Sequence, residues 1–142
     1  MPKSTEFTDK LRSSGLRPTK QRLKICEALF NREHTFHFTI NDLAKNISDQ
    51  LNEKISLATV YNTVHAFKKK GYLKEISINS DKSYFDTNTS NHHHFYDEDT
   101  HELIDCGEHD IDSINIKNNI TGKKINSVEV LIKVASDNQN QN

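Results

Sequence analysis

The chain has 142 residues, of which 33% are apolar and 27% charged, and a net charge of −1, the balance of a globular protein of one domain or two small ones. No apolar stretch approaches the roughly 20 residues that span a bilayer, and "MPKSTEFTDK" lacks a signal-peptide core, so a cytoplasmic protein without membrane contact is expected. The two cysteines, Cys26 and Cys106, form no CxxC pair and no disulfide framework.

The small net charge conceals a split. Residues 1–74 carry 14 Lys/Arg against 7 Asp/Glu, whereas residues 75–142 carry 5 against 13. This predicts a polyanion-binding half joined to one that binds cations or a partner.

In "GLRPTKQRLKICEALFNREH", Pro18 suits a first helical turn, and Leu23, Cys26, Leu29 and Phe30 recur at helical spacing. Cys26 therefore reads as core. A second helix is predicted in "FTINDLAKNISDQL", where Thr39 and Asp42 form a capping box and Ile40, Leu43, Ala44, Ile47 and Leu51 make one apolar stripe. In "ISLATVYNTVHAFKKKGYL", Ser56 is the expected N-cap and Gly71 the C-terminal cap, with Leu57, Val60, Val64 and Phe67 buried. The outward face of that third helix presents Ala58, Thr59, Tyr61, Asn62, His65, Lys68 and Lys69. Small and hydrogen-bonding residues lie toward its start and lysines toward its end, the distribution of a recognition helix in a DNA groove. Alternating segments Leu73–Ile78 and Ser83–Asp86 around "NSDK" predict a β-hairpin. Three helices followed by a hairpin make a winged helix-turn-helix.

The stretch "NHHHFYDEDTHELIDC", Asn91 to Cys106, carries the metal chemistry. A strand over Asn91–Tyr96 would point His92 and His94 to one face and His93 to the other. A turn at "DEDTH" would return Glu102–Asp105 beside the histidines, and the acids 97–99 read as that solvated turn. Mixed imidazole and carboxylate donors suit iron, manganese or zinc, and imidazole is also an axial ligand for haem iron, so His92, His93 and His94 are candidate haem or metal ligands. Beyond, Ile111, Ile114 and Ile120 suggest a short helix, "VEVLIKV" an alternating strand, and "ASDNQNQN" a disordered tail. No P-loop, nucleophile elbow or HExxH is present, so no enzyme is expected; a metallohydrolase would leave the basic helix unexplained.

"GLRPTKQRLKICEALF", "HFTINDLAKNI", "ISLATVYNTVHAFKKKGYL" and "HHHFYDEDTHELID", in this order, resemble the ferric uptake regulator (Fur) superfamily of bacterial transcription factors over residues 8 to 135, most of all its iron response regulator (Irr) branch. The resemblance implies an α+β fold, with a winged helix-turn-helix at 1–86, an α/β dimerisation and sensing domain at 87–135, and the tail at 136–142. It implies a homodimeric regulator, mainly a repressor of iron and haem homeostasis genes, that binds an AT-rich palindrome in double-stranded DNA and responds to a divalent metal (iron, manganese or zinc) or to haem. The DNA-contacting candidates are Arg17, Lys20, Ser56, Ala58, Thr59, Tyr61, Asn62, His65 and Lys69. The family's sensory ligands fall on His37, Asp86, His94 and Asp105, with Tyr96 where a further histidine is usual. His93 corresponds to a ligand of a second site, but Phe95 replaces that site's acid, and the cysteine pairs that hold structural zinc in relatives are missing. The alternative within the same superfamily is a peroxide sensor, whose members oxidise a histidine beside a bound iron. Asp86 and Asp105 favour it, being aspartates where iron sensors often have glutamate.

Overall fold

Ser56 and Gly71 bound helix α4 (Leu57–Lys70) as the sequence predicts. In the computed structural model, which describes residues 2–138, the Ser56 hydroxyl accepts the Thr59 N–H, and Gly71 closes the helix at φ 94° while donating its own N–H to the Lys68 and Phe67 carbonyls. Val60, Thr63, Val64 and Phe67 form the buried face. Leu57, expected there, is instead 52% exposed, because the first helical residue lies ahead of the turn that reaches the core. Thr63 takes the inner position and satisfies its hydroxyl on the Thr59 carbonyl at 2.8 Å.

Three helices precede it. In α2 (Lys20–Phe30) the N-cap is Thr19, which places Pro18 just outside the helix rather than in its first turn. Helix α3 (Ile40–Leu51) has the full reciprocal capping box of Thr39 and Asp42, and buries Leu43 and Ile47. Helix α1 (Pro2–Ser13) escapes the periodicity argument, since its buried apolar residues among those described are Phe7 and Leu11, an i,i+4 pair. It ends at Gly15, φ 79°, with the Leu16 N–H returned to the Leu11 carbonyl. No helix among the described residues is long and apolar enough to cross a membrane.

The chain is α+β and divides between Thr89 and Ser90 into two compact units. In the N-terminal unit, β2 (Lys74–Ser77) and β3 (Ser83–Asp86) form the predicted hairpin, and a two-residue strand, β1 (His37–Phe38), adds to the far side of β3. The register pairs His37 with Asp86 and Phe38 with Phe85. Phe38 and Phe85 stack at 5.8 Å and belong to the core with Leu11, Ile25, Leu29 and Phe67. Helices and wing thus share one core, the winged helix-turn-helix architecture.

In the C-terminal unit, β4 (His94–Asp97) is central, with β5 (Glu102–Asp105) antiparallel on one side and β6 (Leu131–Val134) parallel on the other. The strand expected from Asn91 starts only at His94. No helix forms over 111–130 among the described residues. Its asparagines bond locally instead: the Asn119 amide donates to the Lys123 carbonyl, and its Oδ1 accepts the Ile120 N–H, competition that disfavours helix. Of the tail expected to be disordered, residues 139–142 lie outside the described residues, whereas Ser136 donates its N–H to the Asp99 carboxylate.

Gly71 stands in a left-handed conformation with nothing within 4 Å of an added Cβ, so only backbone strain opposes substitution. Gly71→Ala should lower the unfolding free energy by about 1–2 kcal/mol, read as a fall in the urea midpoint at unchanged slope. Burial pushes the Cys26 thiol from 9.0 up to about 12, Lys10 opposing weakly. Between those values the folded chain keeps a proton that the unfolded chain has lost. The stabilisation from this group is therefore complete below pH 9.0 and is lost as pH rises toward about 12. The urea midpoint should decline above that pH, less steeply in Cys26→Ala. In native protein a thiol reagent should modify the partly exposed Cys106 and leave Cys26 intact.

Candidate metal ligands and helix face

Strand pairing assembles one ligand group in the C-terminal unit. The β4–β5 register sets His94 opposite Asp105, and one Asp105 oxygen, Oδ1, lies 3.0 Å from His92 Nε2 and 3.2 Å from His94 Nε2. The two ring centroids are 4.3 Å apart, with the planes tilted by 52°. His92 stands just before the strand, held by its Nδ1 donating to the Ser90 carbonyl at 2.8 Å. With Nδ1 as donor, an Nε2 that carries no proton turns its lone pair toward the carboxylate. Two acceptors at that distance call for a proton or a cation between them, and backbone fixation of the remote ring nitrogen is the usual orientation of a metal-binding histidine.

His93 faces elsewhere, as the alternation predicts. Its Nδ1 accepts the Val130 N–H at 2.9 Å and its carbonyl accepts the Cys106 N–H, so it ties the segment before β6 to the hairpin. Tyr96 is buried, and its hydroxyl meets His101 Nδ1 at 3.0 Å; the structure brings His92, rather than Tyr96, together with His94 and Asp105.

A second group lies in the N-terminal unit, where the β1–β3 register makes neighbours of His37 and Asp86. His37 Nε2 is 3.0 Å from Asp86 Oδ2, and the carboxylate is wholly buried. Asp86 Oδ1 accepts the Asn88 N–H at 2.8 Å, which fixes the other oxygen toward His37. Across the sheet, Lys74 pairs with Asp86; burial lowers the lysine's pKa and Asp86 raises it in opposition. Each group offers imidazole nitrogen together with carboxylate oxygen, donor chemistry that fits iron, manganese or zinc.

On α4, Ala58, Tyr61, Asn62 and Lys69 are exposed. His65 is half-buried, 4.0 Å from the Tyr61 ring and edge-on to Phe85 at 5.5 Å, so it supports Tyr61 from behind. Ser56 and Thr59 are engaged with each other at the N-cap, 2.9 Å apart. Arg17 and Lys20 line an open depression with Thr19, Gln21, Arg22 and Thr59. Sequence reasoning passed over Gln21 and Arg22, although both stand in the first turn after the Thr19 cap. Lys68 is bound to Glu75 of β2, and hydrogen bonds from Lys68 and Ser83 hold that carboxyl below its ordinary range.

Residues 13–134 match the model of the Ferric uptake regulator family. The peroxide-responsive repressor PerR of Staphylococcus aureus is 37% identical over 95 residues, 67% of this chain and 62% of that protein, so the match spans less than two thirds of that relative's length. The peroxide operon regulator of Bacillus subtilis is 31% identical over 121 residues, covering 84% of this chain and 81% of the relative. Among solved structures, the Vibrio cholerae ferric uptake regulator (Fur) shares the fold, with a TM-score of 0.66 at 24% identity, covering 91% of this chain and 98% of that one. With a family match over most of its length and a relative aligned across four fifths of its own, the chain belongs to the ferric uptake regulator family, whose members are transcriptional regulators and not enzymes.

Proposed function

We propose that the chain is a DNA-binding transcriptional repressor, active as a cytoplasmic homodimer, that senses peroxide through an iron ion held by His92, His94 and Asp105, with His37 and Asp86 as the further ligands that the family resemblance implies. The observation that carries this reading is the convergence of His92 and His94 on one oxygen of Asp105. It gives His94 a histidine companion and leaves Tyr96 to His101. Two relatives named for their response to peroxide support the choice of signal, as do the two aspartates. Ferrous iron, when bound, would activate hydrogen peroxide, and the imidazole would supply the two electrons that reduce it. The chain's residues hold the ion and present imidazole carbons beside it: in the net change one C–H becomes a C=O, and the second peroxide oxygen leaves as water. Loss of that imidazole as a donor weakens the site and releases the operator.

The iron- or haem-homeostasis role implied by the Irr resemblance is the competing reading. Its ligands are less suited to a porphyrin, since His92 and His94 turn to a carboxylate and His93 is engaged by the Val130 N–H. On the nucleic-acid side, exposed Tyr61 and Asn62 read base edges in the palindrome, while Arg17, Lys20 and Lys69 meet phosphates.

Operator binding should require Mn²⁺ or Fe²⁺, and His37→Ala or Asp105→Ala should abolish the metal effect, whereas His93→Ala should keep it. Hydrogen peroxide should release the Fe²⁺-loaded protein, but not the Mn²⁺-loaded one, from DNA, with mass spectrometry showing one added oxygen on a peptide that contains His37, His92 or His94. Release by haem, with no oxidised histidine, would replace the peroxide reading with the haem one. Tyr61→Ala should cost about 1–3 kcal/mol of discrimination between operator and random DNA. Lys69→Ala should weaken both and flatten the salt dependence; equal losses on both DNAs for Tyr61→Ala would rule out base readout by that residue.

A further inference from the structure

The Asp86 carboxylate has no exposed surface, and an ionised carboxylate in that position needs compensation from its neighbours. The sheet supplies it from both sides. His37 on β1, Asp86 on β3 and Lys74 on β2 occupy one row across three strands. Residues directly opposite in an antiparallel pair project to the same face with Cβ atoms about 4.5–5.5 Å apart. The next row, Phe38, Phe85 and Glu75, projects to the other face, where Phe38 and Phe85 join the core. Lys74 therefore shares its face with Asp86 and His37; burial lowers its pKa, and the Asp86 charge opposes that shift.

We infer that the Lys74 ammonium is a built-in counter-cation of Asp86, which an incoming divalent ion must displace, so that Lys74 sets the metal affinity of this site. The inference rests on the metal-site reading above. In the metal-free protein, Lys74 adds a positive charge beside a wholly buried carboxylate that also accepts the Asn88 N–H and faces His37. With a divalent ion on Asp86, the same ammonium faces a like charge and gains by turning its flexible stem toward water. A fixed positive charge thereby raises the metal concentration needed for occupancy, a threshold a sensor requires and a purely structural site does not.

The experiment measures Mn²⁺ affinity by calorimetry and the Tm of metal-free protein for wild type, Lys74→Met, Lys74→Gln and Lys74→Arg. Removing the charge should tighten Mn²⁺ binding on the order of tenfold or more while lowering the metal-free Tm; Lys74→Arg should stay near wild type in both. Lys74→Gln keeps the test decisive if Lys74→Met fails to fold. Unchanged or weaker Mn²⁺ binding in the charge-removed variants, with His37→Ala still impaired, overturns the role of Lys74 alone. If His37→Ala binds Mn²⁺ as wild type does, the metal-site reading falls and this proposal with it.

Discussion

A carboxylate with no exposed surface sets the terms for the N-terminal unit. Asp86 ends β3 where an apolar residue would cost nothing, and burying its charge costs several kcal/mol unless neighbours repay the lost hydration. The local structure answers that demand. The Asn88 N–H bonds one oxygen, His37 faces the other, and Lys74 stands across the strand. Strand β1 is only two residues long, yet it is what delivers His37, and it is pinned by the Thr87 N–H to the Phe36 carbonyl and by the Phe36 N–H to Thr87 Oγ1. Under the metal-site reading proposed above, that cost is the one a ligand position carries.

The same strand also bears on the helix that carries the DNA-reading face. Period-two geometry sends Asp86 to one side of β3 and Phe85 to the other. Phe85 packs against His65, and His65 against Tyr61. The ligand strand and the exposed aromatic of α4 are therefore separated by two ring contacts, both inside one tightly packed unit. Lys68 adds a second tie, from α4 to Glu75 on β2. Wing and helix are packed as one piece, which is what the proposed presentation of Tyr61 and Asn62 to base edges demands.

Much of this was legible in the sequence because it depends on local chemistry. Thr39 with Asp42, Ser56 and Gly71 mark helix ends by side-chain capping or by left-handed backbone, both of which act over four residues. Strand alternation correctly separated His93 from its neighbours. What was not legible depends on contacts distant in sequence. Helix α1 exposes its purpose only when Leu11 meets the core, and β1 has too few residues for any period to show. Spacing alone did not show which of Tyr96 and His92 would lie beside His94; the Asp105 register and the Ser90 carbonyl bring His92 there. The supposed helix after Ile111 shows the converse, for isoleucines suggested a stripe where asparagine side chains hold the backbone in turns.

The C-terminal unit raises a different question, because its own sheet buries little. Among its apolar side chains Tyr96 and Leu103 are buried, whereas Ile116, Ile120 and Ile125 are 50%, 73% and 48% exposed. Three strands of four residues each cannot by themselves repay the chain entropy of fixing such a unit. This chain has two cysteines and no CxxC pair that could add a structural zinc ion. Under the dimeric reading proposed above, a second copy supplies the missing burial, at about 25 cal/mol for each Å² of apolar surface covered. Dimerisation and stability of this unit are then one free energy, and the hairpin that aligns His94 with Asp105 is ordered to the extent that the dimer forms.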